Sequence, residues 1–110
     1  MTDKVLHSYG ANHVRGWRAV GGQLEFTRTR VRFTPHRADP GREWSAELRD
    51  IQAVGKSPRT YGLFNGGLRA RLRLTLADGS SELFVVLKLD QVIADVEPLV
   101  AGRGSRTLGG

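Results

Sequence analysis

Three histidines, fourteen arginines and no cysteine set the limits of the chemistry open to this chain. Without cysteine, disulfide frameworks, thiolate zinc sites and cysteine nucleophiles are all excluded. His7, His13 and His36 include no pair at the i, i+4 spacing of a zinc helix. Either His13 and His36 meet in space, or each is a turn histidine bonded to backbone. No Gly-x-Ser-x-Gly elbow, phosphate-binding lysine loop or Gly-x-Gly-x-x-Gly turn occurs, and Gly21-Gly22 and Gly66-Gly67 are too short to cradle a phosphate chain. The acids gather between Asp78 and Glu97, where they resemble a solvated face rather than a desolvated general acid or base. The expectation is a protein that binds without catalysing, with no cofactor and no metal.

Arginine supplies fourteen of the seventeen positive charges behind the net +6. Such a bias serves planar, bidentate contacts with anions, and an arginine-rich genome produces the same sum. Its distribution carries more. Arg15, Arg18, Arg28, Arg30, Arg32 and Arg37 stand against Glu25 alone, and Lys56, Arg59, Arg69, Arg71 and Arg73 against no acid. From Asp78 to Glu97 the sign reverses, with Asp78, Glu82, Asp90, Asp95 and Glu97 against Lys88. Opposed basic and acidic regions are therefore expected.

The candidate ligand-binding residues are Asn12, His13, Arg15, Arg28, Arg30, Lys56, Arg59, Arg69, Arg71 and Arg73. Asn12 and His13 either line a ligand-facing loop with Arg15 or form a turn in which the Asn side chain mimics a backbone bond. Arg28 and Arg30 flank a hairpin turn, and Arg69, Arg71 and Arg73 form a row at ~6–7 Å spacing along one strand. Cations so placed neutralise lipid phosphates at about 1 kcal/mol each near an anionic leaflet. Tyr61, Leu63 and Phe64 beside Lys56 and Arg59 are candidate membrane contacts; the alternative folds Leu63 and Phe64 back over the core. Trp17 and Trp44 are taken as core or rim aromatics. A sequence pI near 10.8 also invites nucleic acid. Only 7% of the chain is aromatic, however, and these rings do not interleave with the cations as a stacking surface requires. The partners expected are an anionic lipid headgroup or a protein.

The elements that must position these residues fit one domain. A chain of 110 residues buries roughly two thirds of its unfolded surface, enough to hold without staples. The longest apolar run, Leu83 to Leu87, is far short of the ~20 residues of a membrane-spanning helix. No apolar segment of a signal follows Met1 to Lys4, so the expected location is the cytoplasm, peripheral at the inner membrane face at most.

Period-two alternation predicts about seven strands. The first two are Val5 to Tyr9 and an irregular Val14 to Val20, broken by Gly21-Gly22. Leu24 and Phe26, then Val31 and Phe33, alternate with polar residues around a turn at Arg28-Thr29; Pro35 ends that strand. Trp44 with Ala46 and Leu48 marks another strand; Ile51 to Val54 is the next, and Gly55 to Gly67 is unpatterned. Asp78-Gly79 signals a hairpin spanning Leu68 to Leu87. With a two-residue loop, Leu72 faces Val85, Leu74 faces Leu83, and Phe84 lies outside against Arg73; one more loop residue turns Phe84 inward. Leu89, Val92, Ile93, Val96, Leu99 and Val100 then form one helical stripe, N-capped by Asp90, kinked or shortened at Pro98 and ended by Gly102. The domain is placed at 1–101 and a flexible tail at 102–110.

Several pieces in order resemble the bacterial GRAM domains of the pleckstrin-homology-like superfamily. They are Gly10-Ala11-Asn12-His13 with Arg15-Gly16, Val20 to Leu24, Phe26-Thr27, Arg30-Val31, Phe33 to His36, Trp44 to Val54, Gly62 to Arg69, Asp78-Gly79 and Phe84 to Val86. The resemblance covers roughly Val5 to Val100. It implies a mainly β barrel of two packed sheets plugged by a C-terminal helix. It also implies a binding module, since some relatives bind phosphoinositides and others proteins. One position departs from the family pattern: Arg28 stands where Asn or Asp is usual at the first hairpin turn.

Overall fold

The alternation that begins at His7 and ends at Val86 is realised as strands, and the 3.6-residue period after it as a helix. The computed structural model describes residues 4–16, 18–37, 42–57 and 71–109, with side chains as far as Gly102. The strands are β1 (His7–Arg15), β2 (Arg18–Phe26), β3 (Arg30–Pro35), β4 (Trp44–Glu47), β5 (Ile51–Ser57), β6 (Arg71–Leu76) and β7 (Ser81–Val86). A single 3-10 turn, Leu48–Asp50, joins β4 to β5, and α1 (Leu89–Gly109) follows β7.

All seven strands pair antiparallel in one sheet, ordered β4-β3-β2-β1-β7-β6-β5. A sheet with one apolar face buries it by curling, and this one forms a half-barrel around Leu24, Phe26, Val31, Phe33, Leu72, Leu74 and Phe84, all fully buried. The 3-10 turn ties two hairpin tips together: Leu48 N–H donates to the Thr29 carbonyl at 2.8 Å, and Ala77 N–H to the Asp50 carbonyl at 2.8 Å. Val92 and Val96 of α1 enter the core, flanked by half-buried Leu89, Ile93, Leu99 and Val100, so the whole predicted stripe faces inward.

The structure corrects several boundaries. β1 and β2 are one nine-residue hairpin pair, running His7↔Phe26 to Arg15↔Arg18, so Asn12-His13 is mid-strand and neither a turn nor a loop. Gly21-Gly22 does not break β2. Gly22 is there because a Cβ would stand 2.3 Å from the Thr34 carbonyl oxygen and 2.8 Å from the Pro35 Cα of β3. Leu48 leaves β4 for the 3-10 turn, and β5 runs on through Gly55 to Ser57.

The turn at Arg28-Thr29 forms although neither residue favours it. Thr27 Oγ1 accepts from the N–H of Thr29 at 3.2 Å and of Arg30 at 3.0 Å, supplying the acceptor from a side chain. No non-glycine residue among those described has positive φ, so Arg28 takes its place in the turn without strain.

α1 starts earlier and ends later than the sequence indicates. Val92 N–H donates to the Lys88 carbonyl at 2.9 Å, so Lys88 is the cap and Asp90 lies in the first turn. Pro98 is inside the helix; the Ala94 carbonyl it leaves without a donor belongs to an exposed residue, open to water. Gly102 lacks the left-handed φ of a helix terminator, and helical backbone continues to Gly109 through the segment expected to be a tail.

Candidate functional site

The β6–β7 turn decides which residues the outer surface displays. Leu76 N–H donates to the Ser80 carbonyl at 2.8 Å, and Gly79 N–H to the Leu76 carbonyl at 2.9 Å, enclosing the three residues Ala77, Asp78 and Gly79. Gly79 takes φ +91°, the left-handed residue that follows a turn of this length. Asp78 Oδ1 braces it, accepting from Ser80 N–H at 2.9 Å and Ser80 Oγ at 2.6 Å, and these bonds hold its carboxyl below the usual value. One residue more than the two-residue loop shifts the register, pairing Leu72 with Phe84 and Arg73 with Leu83. Phe84 is therefore fully buried, and the expected contact of Arg73 with its ring is replaced by Arg73 beside Leu83.

Inside the barrel that register creates a polar pair. His13 is 3% exposed; its Nε2 donates to Glu82 Oε1 at 2.7 Å, and its ring stacks on Phe84 at 4.6 Å with Phe33 and Trp44 beside it. His13 is a core residue. It does not meet His36, which is exposed at the end of β3. At the helix-covered end, Tyr9 donates its hydroxyl to Asp95 Oδ2 at 2.8 Å, Gln91 Nε2 donates to Oδ1 at 2.9 Å, and His7 Nδ1 is 3.9 Å away. Burial and then the Asp95 bond push the Tyr9 hydroxyl well above its ordinary value of 10.0. The Tyr9 bond and then the Gln91 bond hold Asp95 below 3.8. No sequence pattern marks this clasp, because its partners are 86 residues apart.

The candidate cations do not form one patch. Lys56 Nζ is 2.7 Å from Asp90 Oδ1 and anchors the start of α1. Arg28 and Arg30 sit at the β2–β3 tip, with Arg30 directly across from Glu47. Arg15 faces Arg18 at the β1–β2 end. Arg71 and Arg73 project from the outer face of β6, which three strands separate from β3. Arg59, Arg69, Tyr61, Leu63 and Phe64 lie outside the described residues, as does Trp17.

What Arg71 and Arg73 border is an outer face running over β6, β7 and β1. Arg73 neighbours Leu83, which pairs with Val14; Val85 pairs with Asn12, which pairs with Gly21. Gly10 and Gly21 leave a cleft of about 340 Å³ here, walled by Val85 and Leu87 on one side and by Asn12 and His36 on the other. A Cβ on Gly21 would lie 3.0 Å from Asn12 Oδ1 and 3.9 Å from His36 Nδ1, so both polar groups close over that glycine. A second cleft of about 250 Å³ adjoins it at Gly21 and His36 and reaches Arg37. His36 and the outward Leu83, Val85 and Leu87 were not candidates from sequence. The signal for the last three was the unbroken apolar run Leu83 to Leu87, since a strand apolar on both faces has two surfaces to cover. Among the described residues, no three His, Asp or Glu side chains converge on a point that could hold a metal.

No family model matches this sequence, and no curated protein does. Solved structures do. The chain superposes on the C-terminal domain of an unknown protein from Leishmania infantum with TM-score 0.74 and 18% identity, covering 90% of this chain and 85% of that one. It superposes on the Vps36 N-terminal PH domain with TM-score 0.69 and 17% identity, covering 94% of this chain and 83% of that one. The chain has a pleckstrin-homology-like fold. At these identities the likeness is one of fold, and a PH-like fold of seven antiparallel strands with a C-terminal helix is what the sequence resemblance implied; the strands form one curled sheet rather than two packed ones. No helix among the described residues is long and apolar enough to cross a membrane.

Proposed function

We propose that this PH-like domain is of the GRAM type and works as a non-catalytic binding module, docking on an anionic membrane surface through its arginines. The observation that carries this reading is a set of arginines that no acid holds. Glu25 is held by Arg32 at 3.2 Å, Glu47 by Arg49 at 2.7 Å, Asp90 by Lys56 at 2.7 Å and Glu82 by His13 at 2.7 Å. Among the described residues, Arg15, Arg28, Arg30, Arg71 and Arg73 have no such partner. Unpaired guanidiniums on a chain of net charge +6 give a field that anionic phosphates neutralise. The reading places the protein in the cytoplasm, peripheral at the inner membrane face.

Co-sedimentation with phosphatidylcholine vesicles, with and without phosphatidylserine, tests it. Binding is expected only with the anionic lipid and weakens as salt screens it. Reversing Arg71 and Arg73 to Glu weakens it by tenfold or more, on the scale of about 1 kcal/mol per cation. Equal binding to both vesicles, or none to either, overturns the reading. A second reading, a protein partner, is favoured by β4 and β5 being the end strands of the sheet among the described residues, the latter running beside α1. Such a complex rests on backbone bonds, so it survives the salt that releases vesicles.

A further inference from the structure

Where one side of an antiparallel sheet is solvated, its outward positions are expected to be polar. β2, β3 and β4 conform: Gln23 bonds Ser8, Glu25 pairs with Arg32, and Thr34 and Ser45 are exposed. β7 does not. After Ser81 its outward residues are Leu83 and Val85, both half-buried, and Leu87 just beyond the strand is 82% exposed. Val14 of β1 extends this surface, and Arg71 and Arg73 of β6 border it. Among the described residues, no acid occupies an outward position of β5, β6, β7 or β1.

We infer that this face rests on an anionic phospholipid bilayer, with the ridge of Leu83, Val85 and Leu87 entering the headgroup region and Arg71 and Arg73 on lipid phosphates. The inference depends on the membrane-docking reading and names the surface that performs it. Charge selects the occupant. A second copy of the chain would bring the same arginines face to face with no acid between them. A nucleic acid would meet aliphatic side chains where unpaired bases need aromatic faces. A bilayer presents phosphates at the level of the guanidinium heads and an apolar layer within about 5–10 Å below them, which a short aliphatic ridge reaches. The arginine stems lie along that layer while their charged ends stay in the headgroups.

The chain has no cysteine, so Leu87→Cys and Ser45→Cys each give a single attachment point for an environment-sensitive fluorophore. On vesicles containing phosphatidylserine the probe carried by Leu87→Cys should shift to the blue and the probe carried by Ser45→Cys should not; on pure phosphatidylcholine neither shifts. Leu87→Asp, at a site exposed enough to leave the thermal melt unchanged, should bind anionic vesicles about tenfold more weakly. Binding within about twofold of the parent, or a shift at the Ser45 site in place of the Leu87 site, overturns this face while leaving membrane docking intact. If the unaltered chain ignores both kinds of vesicle, the docking reading itself fails. A dimer in solution that Leu87→Asp dissociates overturns the inference in favour of an interface between copies.

Discussion

β3 and β7 are both six-residue strands, and they differ in how strictly they sort polar from apolar between their two faces. β3 sends Val31, Phe33 and Pro35 into the core and Arg30, Arg32 and Thr34 to solvent. β7 sends Glu82 inward beside Phe84 and Val86, and turns Leu83 and Val85 outward. The inward exception is answered within the fold, because His13 meets Glu82 at 2.7 Å. The outward exception has no such answer among the described residues. A misplaced polar group therefore reports on the interior, whereas misplaced apolar groups report on what lies outside the molecule.

The regular strand should break hardest. β3 closes against β2 only because Gly22 has no side chain: a Cβ there would lie 2.3 Å from the Thr34 carbonyl oxygen and 2.6 Å from the Phe33 ring. Two of its three close neighbours are backbone atoms that cannot swing aside, so Gly22→Ala is expected to lose about 3 kcal/mol in urea unfolding. Gly10→Ala, with nothing within 4 Å, is the control. A loss below 1 kcal/mol would show that the two strands can separate locally.

Next comes the inward exception on β7. Glu82→Ala leaves the imidazole of His13 buried without its partner and should destabilise by about 2 kcal/mol. Glu82→Gln keeps an acceptor and should recover more than half of the loss. Equal losses would mean that packing, not the hydrogen bond, explains Glu82.

The helix α1 packs against β5, β6 and β7, the Tyr9–Asp95 bond holds it to β1, and pH reads that hold. Asp95 titrates below its ordinary 3.8 in the folded chain, so its stabilisation is present above that pH and is lost as acid passes through the lowered value. Tyr9 titrates above its ordinary 10.0, so its stabilisation is present below that pH and is lost as alkali rises beyond it. Urea midpoints followed across pH should fall at both ends, and Tyr9→Phe should flatten the alkaline fall and diminish the acid one. Parallel profiles for the two proteins would remove the clasp from the account.

The smallest effect is the one most telling for the comparison. Leu87 is 82% exposed, so Leu87→Ser should change stability by less than about 0.5 kcal/mol. A larger loss would make the outward row a structural element and weaken its assignment as a docking face.

Much of the candidate site was illegible for one local reason. Asp78-Gly79 is a strong hairpin signal, yet it is compatible with loops of two and three residues, and the choice reverses both faces of β7 at once. Leu83 and Val85 could not be placed outside until the Leu76–Ser80 bond was seen. Arg71 and Arg73 were legible as an outward row from alternation alone. That Lys56 is occupied by Asp90, and that Arg30 stands across from Glu47, depends on contacts between elements far apart in sequence.

By itself the sequence determined the element types, the core stripe of α1 and the excess of arginine over acid, because periodicity and composition are local properties that survive without partners. It also supported the PH-like architecture through ordered short motifs. Only the tertiary structure decided that Gly22 is a point of close approach, that His13 is a core residue bound to Glu82, and that β7 turns the half-buried Leu83 and Val85 outward. Each of these follows from register, and register is set where two distant segments meet.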